Sequence, residues 1–121
     1  MSNYSSNDVS LIGRVGKDLV ISGRDETLIV TVILATNESW HDKDGKIVEH
    51  TDWHSVVFFN KTARIVKEHV TKGMLLHIKG KLRTSKWSDK ENIEHYKTQV
   101  IANKVGFLEK KLSEIVVPES A

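Results

Sequence analysis

The chain has 121 residues, which is most simply a single domain large enough to bury a hydrophobic core. It contains no cysteine, so disulfides, thiolate metal ligands and a cysteine nucleophile are all excluded. No apolar stretch approaches the roughly 20 residues of a membrane-spanning helix, and the first residues lack the basic and apolar regions of a secretory signal. We therefore expect a cytoplasmic protein that makes no membrane contact.

Positive charge is concentrated in one block of the sequence. The chain as a whole carries a net charge of only +2. Residues 61–90 hold nine lysine and arginine residues against Glu68 and Asp89, which gives this block a net charge of +7. A basic block in an otherwise acidic chain favours a surface for polyanions, with a solubilising lysine-rich face as the alternative at this point.

The first half of the chain is predicted to form strands. Residues 9–16 carry two glycines, which indicate a bend or a close backbone approach. Residues 27–36 are rich in β-branched side chains and apolar on both faces, as is typical of a buried strand. A polar hairpin with an Asp44-Gly45 turn signal follows, and the third strand occupies residues 51–60.

One segment has a helical period. Ala63, Val66 and Val70 recur at i, i+3 and i+7, and Gly73 stands where a glycine stops a helix. The remaining elements are two strands joined by a polar tip, which we place at residues 74–87, 88–92 and 94–108.

Five strands with one helix between the third and the fourth is the order of an OB-fold. The sequence thus predicts an all-β domain over residues 1–108, a five-stranded, partly open barrel with one short helix. A twisted sheet with a helix on one face is the competing arrangement. Residues 109–121 are predicted to form a short, flexible C-terminal tail.

Strand alternation separates the aromatic residues of the third strand. Trp53 and Phe59 share one face, whereas Val56 and Phe58 share the other. In a core strand the large side chains would point the same way. We therefore expect the valine and its neighbouring phenylalanine to point inward, and the tryptophan with the second phenylalanine to point outward.

Residues 74–87 show the same separation. Even positions from Met74 to Leu82 are apolar or glycine and form the predicted core face. Odd positions form a cationic face that ends in Trp87 and includes Lys79, Lys81 and Arg83. Trp40 lies where the second strand runs out into a polar hairpin, beside His41 and Lys43.

Aromatic side chains interleaved with cations favour binding of single-stranded nucleic acid. Unpaired bases stack on aromatic rings, which contributes about 1–3 kcal/mol per base, while lysine and arginine follow the phosphates. A subunit interface, where tryptophan is also enriched, is the alternative. The six histidines show no metal-ligand spacing, and no segment predicts a catalytic group, a metal site or a cofactor.

Residues 34–100 resemble the bacterial single-stranded DNA-binding protein (SSB) family. The resemblance rests on the blocks ATNESW, TDWHSVVFF and GKLRTSKW at the family's spacing, and extends weakly from about residue 10 to Phe107. It implies an OB-fold that assembles as a homotetramer, a dimer of dimers, and wraps single-stranded DNA without sequence preference. It also implies roles in DNA replication, recombination and repair, without enzyme activity, in the cytoplasm and at the nucleoid.

The resemblance assigns roles to individual residues. It places base stacking on Trp40, Trp53, Phe59 and Trp87, and subunit association on His54. It adds Lys43, Lys61, Lys72 and Lys86 as basic positions near the DNA backbone, beside the cations already selected by alternation.

The chain departs from the family pattern at three places. Ser55 replaces the arginine that usually follows the histidine, and Leu19 to Ile21 replace an Asp-Pro pattern. The family's long tail with an acidic tip, which docks repair and replication enzymes, has no counterpart in the closing EIVVPESA. We therefore expect a short form, or a truncated chain, that doesn't recruit partners through such a tail.

The sequence thus predicts a non-enzymatic protein that binds single-stranded DNA. One alternative is a primosomal, PriB-like OB-fold protein that mainly bridges other proteins in replication restart. Another is a nuclease that uses a histidine-bound metal. The choice between DNA and RNA stays open, because stacking and phosphate contacts sense the 2′-hydroxyl weakly.

Overall fold

The computed structural model describes residues 4–108. The elements in chain order are β1 (Val9–Val15), β2 (Val20–Ser22), a 3₁₀ turn (Asp25–Thr27), β3 (Ile29–His41), β4 (Ile47–Phe59), α1 (Asn60–His69), β5 (Leu75–Ser88) and β6 (Glu94–Phe107). The tail predicted from residue 109 onward lies outside the described residues.

Five of the strands close into a barrel. They neighbour one another in the order β1-β5-β6-β4-β3, and β3 returns to β1 through pairs at Arg14 and Val15. β4 and β6 run parallel and pair only at Val56 and Val57, whereas the other pairings are antiparallel. The predicted all-β OB-fold is confirmed. Its barrel has two short seams, which are the two-residue pairings of β1 with β3 and of β4 with β6.

The barrel interior is filled by one cluster of apolar side chains. Each long strand contributes alternate residues, and α1 contributes Ala63 and Val66. Val56 and Phe58 are fully buried in this cluster, so the inward half of the predicted alternation is confirmed. Other fully buried members are Val30, Val32, Leu34, Leu76 and Ile78.

The short strand β2 was not predicted. Val15 opposes Leu34, and Val20 opposes Thr31, so the four residues 16–19 between β1 and β2 face only two residues of β3. β2 is therefore a continuation of β1 beyond a local bulge. The glycines of residues 9–16 predict a bend, and the strand is interrupted at the second of them.

The two predicted hairpin tips adopt the same five-residue turn. At each tip an aspartate carboxylate, Asp42 or Asp89, accepts hydrogen bonds from the backbone N–H groups two and four residues later, at 2.8–3.0 Å. The residue three positions later, Gly45 or Asn92, has a positive φ of 79° or 63°. Glycine and asparagine are the residues that tolerate this conformation, so the turns follow from local sequence.

Two details of the prediction were wrong. The helix ends at His69, before Gly73, because the glycine belongs to the turn into β5 and its backbone N–H donates to the Val15 carbonyl at 2.7 Å. Leu82, predicted as core, is 49% exposed because β5 and β6 extend past the end of the barrel as a two-stranded arm. Among residues 4–108 no helix is long and apolar enough to cross a membrane.

Candidate nucleic-acid interface

The outer surface of β4, β6 and β5 is continuous and carries exposed aromatic residues. Trp53 and Phe59 lie on the outer face of β4, opposite in parity to the buried Val56, and are 60% and 39% exposed. Trp87 lies on the outer face of β5 and is 48% exposed. Because paired residues in neighbouring strands point to the same side, the pairings of β6 with both strands place these three rings on one face.

Trp53 packs against Gly16, the residue that follows β1. A Cβ atom at Gly16 would overlap the six-membered ring of the Trp53 indole. The glycine is therefore required for the observed ring position, although its φ is not positive. The contact is made by the edge of the ring around Cζ3, and most of the side chain remains open to solvent, as a stacking platform needs.

Trp87 rests on an imidazole of the neighbouring strand. Trp87 and His95 are cross-strand partners, and their rings are stacked with centroids 5.4 Å apart and planes 22° apart. The His95 Nε2 atom donates to Asp89 Oδ2 at 2.8 Å. This bond, followed by the backbone N–H of Ile93, holds the pKa of Asp89 below its ordinary value of 3.8.

Cationic side chains follow the same outer face. Lys79, Lys81 and Arg83 are exposed at successive outer positions of β5, as the alternation predicted. Lys97 of β6 pairs with Ser85 and adds a further exposed cation between Arg83 and Trp87. The arrangement places positive charge along a row of aromatic rings, which suits a flexible polyanion with unpaired bases.

Two residues of the predicted set lie on the opposite side of their strands. Trp40 is 47% exposed near the end of β3, but it pairs with Val48 and has the parity opposite to that of Trp53. Lys86 has the parity opposite to that of Trp87 and bonds Glu94 at 3.1 Å. A nucleic-acid strand that touches these residues must pass around the edge of a hairpin arm.

The remaining predicted cations lie outside the strands. Lys43 is in the turn between β3 and β4, Lys61 is in the first turn of α1, and Lys72 is in the turn before β5. All three side chains are exposed. They lie outside the strands that carry the aromatic row, so strand parity does not group them with it.

His54 is half-buried at a barrel position opposite Leu34. Its Nε2 atom lies 2.8 Å from the Thr36 hydroxyl, so the ring has a partner within its own chain. Ser55, which departs from the family pattern, accepts a hydrogen bond from Gln99 Nε2 at 2.9 Å. This bond joins β4 to β6 just beyond their two backbone pairs, so the serine has a structural role at the short seam.

Three outer residues of β6 were not among the predicted site residues. Lys97, Gln99 and His95 lie on the outer face because Val100 and Ala102 point into the core. Counting back from those two apolar residues would have found all three positions. Among the described residues no group of three or more histidine, aspartate or glutamate side chains is placed to hold a metal ion.

The strand order of this barrel is that of an OB-fold. Together with the exposed aromatic rings and cations on one outer face, it defines a protein of the single-strand-binding class. Residues 6–108 match the Single-strand binding protein family, and the chain belongs to that family. Members of the family are DNA-binding proteins and not enzymes, and the same holds for this chain.

Two relatives span most of the chain. Single-stranded DNA-binding protein 1 of Xylella fastidiosa (strain 9a5c) is 43% identical over 109 residues, which is 88% of this chain and 80% of the relative. The Plasmodium falciparum SSB, solved in complex with ssDNA, superposes with a TM-score of 0.76 at 31% identity. That match covers 90% of this chain and 100% of the solved one.

Proposed function

We propose that this protein binds single-stranded DNA without marked sequence preference and protects single strands during replication, recombination or repair. The observation that carries the proposal is the outer face of β4, β6 and β5, where three exposed aromatic rings lie beside a row of cations. Bases stack on Trp53, Phe59 and Trp87, while Lys81, Arg83 and Lys79 neutralise phosphates. No bond is made or broken.

The bound DNA strand continues beyond this face onto Trp40, on the hairpin arm formed by β3 and β4. Such a path wraps the DNA around the edge of the arm, because Trp40 has the opposite parity to Trp53. Cations at the ends of the path complete the phosphate contacts; they are Lys43, Lys61, Lys72 and Lys86. Lys86 contributes only when its ion pair with Glu94 opens.

The protein acts as a homotetramer in this proposal. β1 pairs with β3 only at Arg14 and Val15, so its edge over residues 9–13 has no strand partner among residues 4–108. An open strand edge is a site at which a second chain can add. His54 supports the association, as the family resemblance implies.

A fluorescence titration tests the proposal. Added dT oligomers are expected to quench tryptophan emission, whereas a duplex of the same length quenches weakly because its bases are not free to stack. Affinity is expected to fall with salt, with a log–log slope of about −0.7 for each phosphate neutralised. A parallel titration with rU oligomers measures the preference for DNA over RNA.

Trp53→Ala provides the residue-level comparison. Loss of one stacking platform is expected to weaken dT binding by about 1–3 kcal/mol, roughly 5- to 150-fold. Ile65→Ala, which removes an exposed apolar side chain from α1, is the matched control and keeps wild-type affinity. Absence of quenching at low salt, or equal affinity for duplex and single strands, would contradict the proposed function.

A further inference from the structure

The stacked pair on the β5–β6 arm gives one tryptophan a support that the others lack. His95 covers one face of the Trp87 indole, at a centroid distance of 5.4 Å and an angle of 22°. Trp87 is nevertheless 48% exposed, so a large part of the indole remains open to solvent. An indole with one face covered and one face free is limited to stacking a base on the free side.

The imidazole is itself held in place by the turn. Asp89 uses one carboxylate oxygen, Oδ1, to accept backbone N–H groups of Glu91 at 2.8 Å and Ile93 at 3.0 Å. Its other oxygen, Oδ2, accepts the His95 Nε2 proton at 2.8 Å. The backbone of the turn thus fixes the carboxylate, and the carboxylate in turn fixes the position of the histidine ring.

The register of the arm determines which ring lies beside Trp87. The pairing of β5 with β6 shifts by one residue between Lys79 and Gly80, where Asn103 of β6 is left without a partner. Continuing the pairing of Leu76 with Phe107 without that shift would place Tyr96 opposite Trp87. The bulge instead places His95 there, within reach of Asp89.

We propose that His95 is a positioning residue of the DNA interface: anchored by Asp89, its ring holds the Trp87 indole so that the opposite face stacks on a DNA base. The inference rests on the proposed single-strand binding and adds to it a residue that acts through Trp87. A free indole on an extended arm would populate several rotamers and lose entropy on stacking. The supported indole is already arranged for binding.

A double-mutant cycle tests this role. Binding of a labelled dT oligomer is measured by anisotropy for the wild type, His95→Ala, Trp87→Ala and the double variant. We expect His95→Ala to weaken binding roughly three- to tenfold, and Trp87→Ala roughly 5- to 150-fold. In the Trp87→Ala background the histidine substitution is expected to have no further effect, because the ring it positions is absent.

His95→Phe and Thr98→Ala complete the experiment. His95→Phe keeps a flat ring beside Trp87 but loses the bond to Asp89, so it is expected to recover only part of the affinity lost in His95→Ala. Thr98→Ala removes a cross-strand hydrogen bond to Thr84 from the other face of the same arm and is expected to bind like the wild type. Thermal unfolding of each variant confirms that the barrel is intact.

Three results would overturn the inference. Wild-type affinity in His95→Ala would show that the indole needs no support. An equal loss on adding His95→Ala to Trp87→Ala would show that the histidine contacts DNA directly. A wild type that fails to bind dT at low salt would remove the proposed function together with this inference, whereas the first two results leave that function standing.

Discussion

Trp53 depends on the absence of a side chain at Gly16. An added methyl group would occupy the position of the indole ring. Because Trp53 is mostly solvent-exposed, we expect Gly16→Ala to displace the ring with little change in thermal stability. Affinity for dT should fall toward that of Trp53→Ala, a loss of roughly 5- to 150-fold measured by anisotropy.

Gly106→Ala is the control for this substitution. Its added Cβ would meet no atom closer than 3.8 Å, an ordinary van der Waals distance, so the variant should bind like the wild type. Wild-type affinity in Gly16→Ala would mean that the indole finds another productive position. The outward position of Trp53, Phe59 and Trp87 was predictable from parity alone. The contact between the Trp53 indole and the glycine joins segments distant in sequence and was not.

At the scale of the β5–β6 hairpin, the charge on Asp89 links the turn to the stacked pair. The His95 hydrogen bond is the main cause that lowers the pKa of Asp89 below 3.8, with backbone N–H bonds next. A depressed pKa means that the ionised form stabilises the hairpin. This stabilisation is complete above the ordinary carboxyl pKa and is lost as the pH falls through the lowered value.

We therefore expect the arm to stay ordered from about pH 7 down to about pH 5 and to loosen only in stronger acid. The measurement is a carboxyl-carbon NMR titration of Asp89, whose midpoint should lie below 3.8. In Asp89→Asn, which retains an oxygen for the turn but has no charge, the acid-dependent loosening of amide exchange should disappear. A midpoint at or above 3.8 would refute this account of the turn.

The hairpin elements show where sequence reasoning succeeds and where it stops. The turns at Gly45 and Asn92 follow from local chemistry, because few residues accept a positive φ. Leu82 continues an apolar alternation beyond the point where the barrel can cover it, so periodicity alone misplaces it. The pairing of Trp87 with His95 depends on a bulge at Asn103, and no local sequence pattern predicts that bulge.

At the scale of the whole molecule, the order of strands was sufficient to predict the fold. Closure of the barrel, in contrast, depends on two short pairings between strands distant in sequence, β1 with β3 and β4 with β6. The family resemblance added Lys86, which parity places on the far side of its strand, as it does Trp40. Local pattern and resemblance therefore agree on the aromatic rings, and the resemblance alone adds cations at the ends of the proposed wrapping path. Assembly of several chains would lengthen that path.

The proposed tetramer predicts a sedimentation mass four times that of the protomer. His54→Ala is expected to shift the mass toward dimer or monomer at low micromolar concentration, because the half-buried ring lies where the resemblance places subunit association. The matched control is His50→Ala, a histidine of the same strand and parity whose exposed ring bonds only Asp52 in the described chain. Circular dichroism checks that both variants keep the barrel. A monomeric wild type, or an unchanged mass in His54→Ala, would contradict the assigned role.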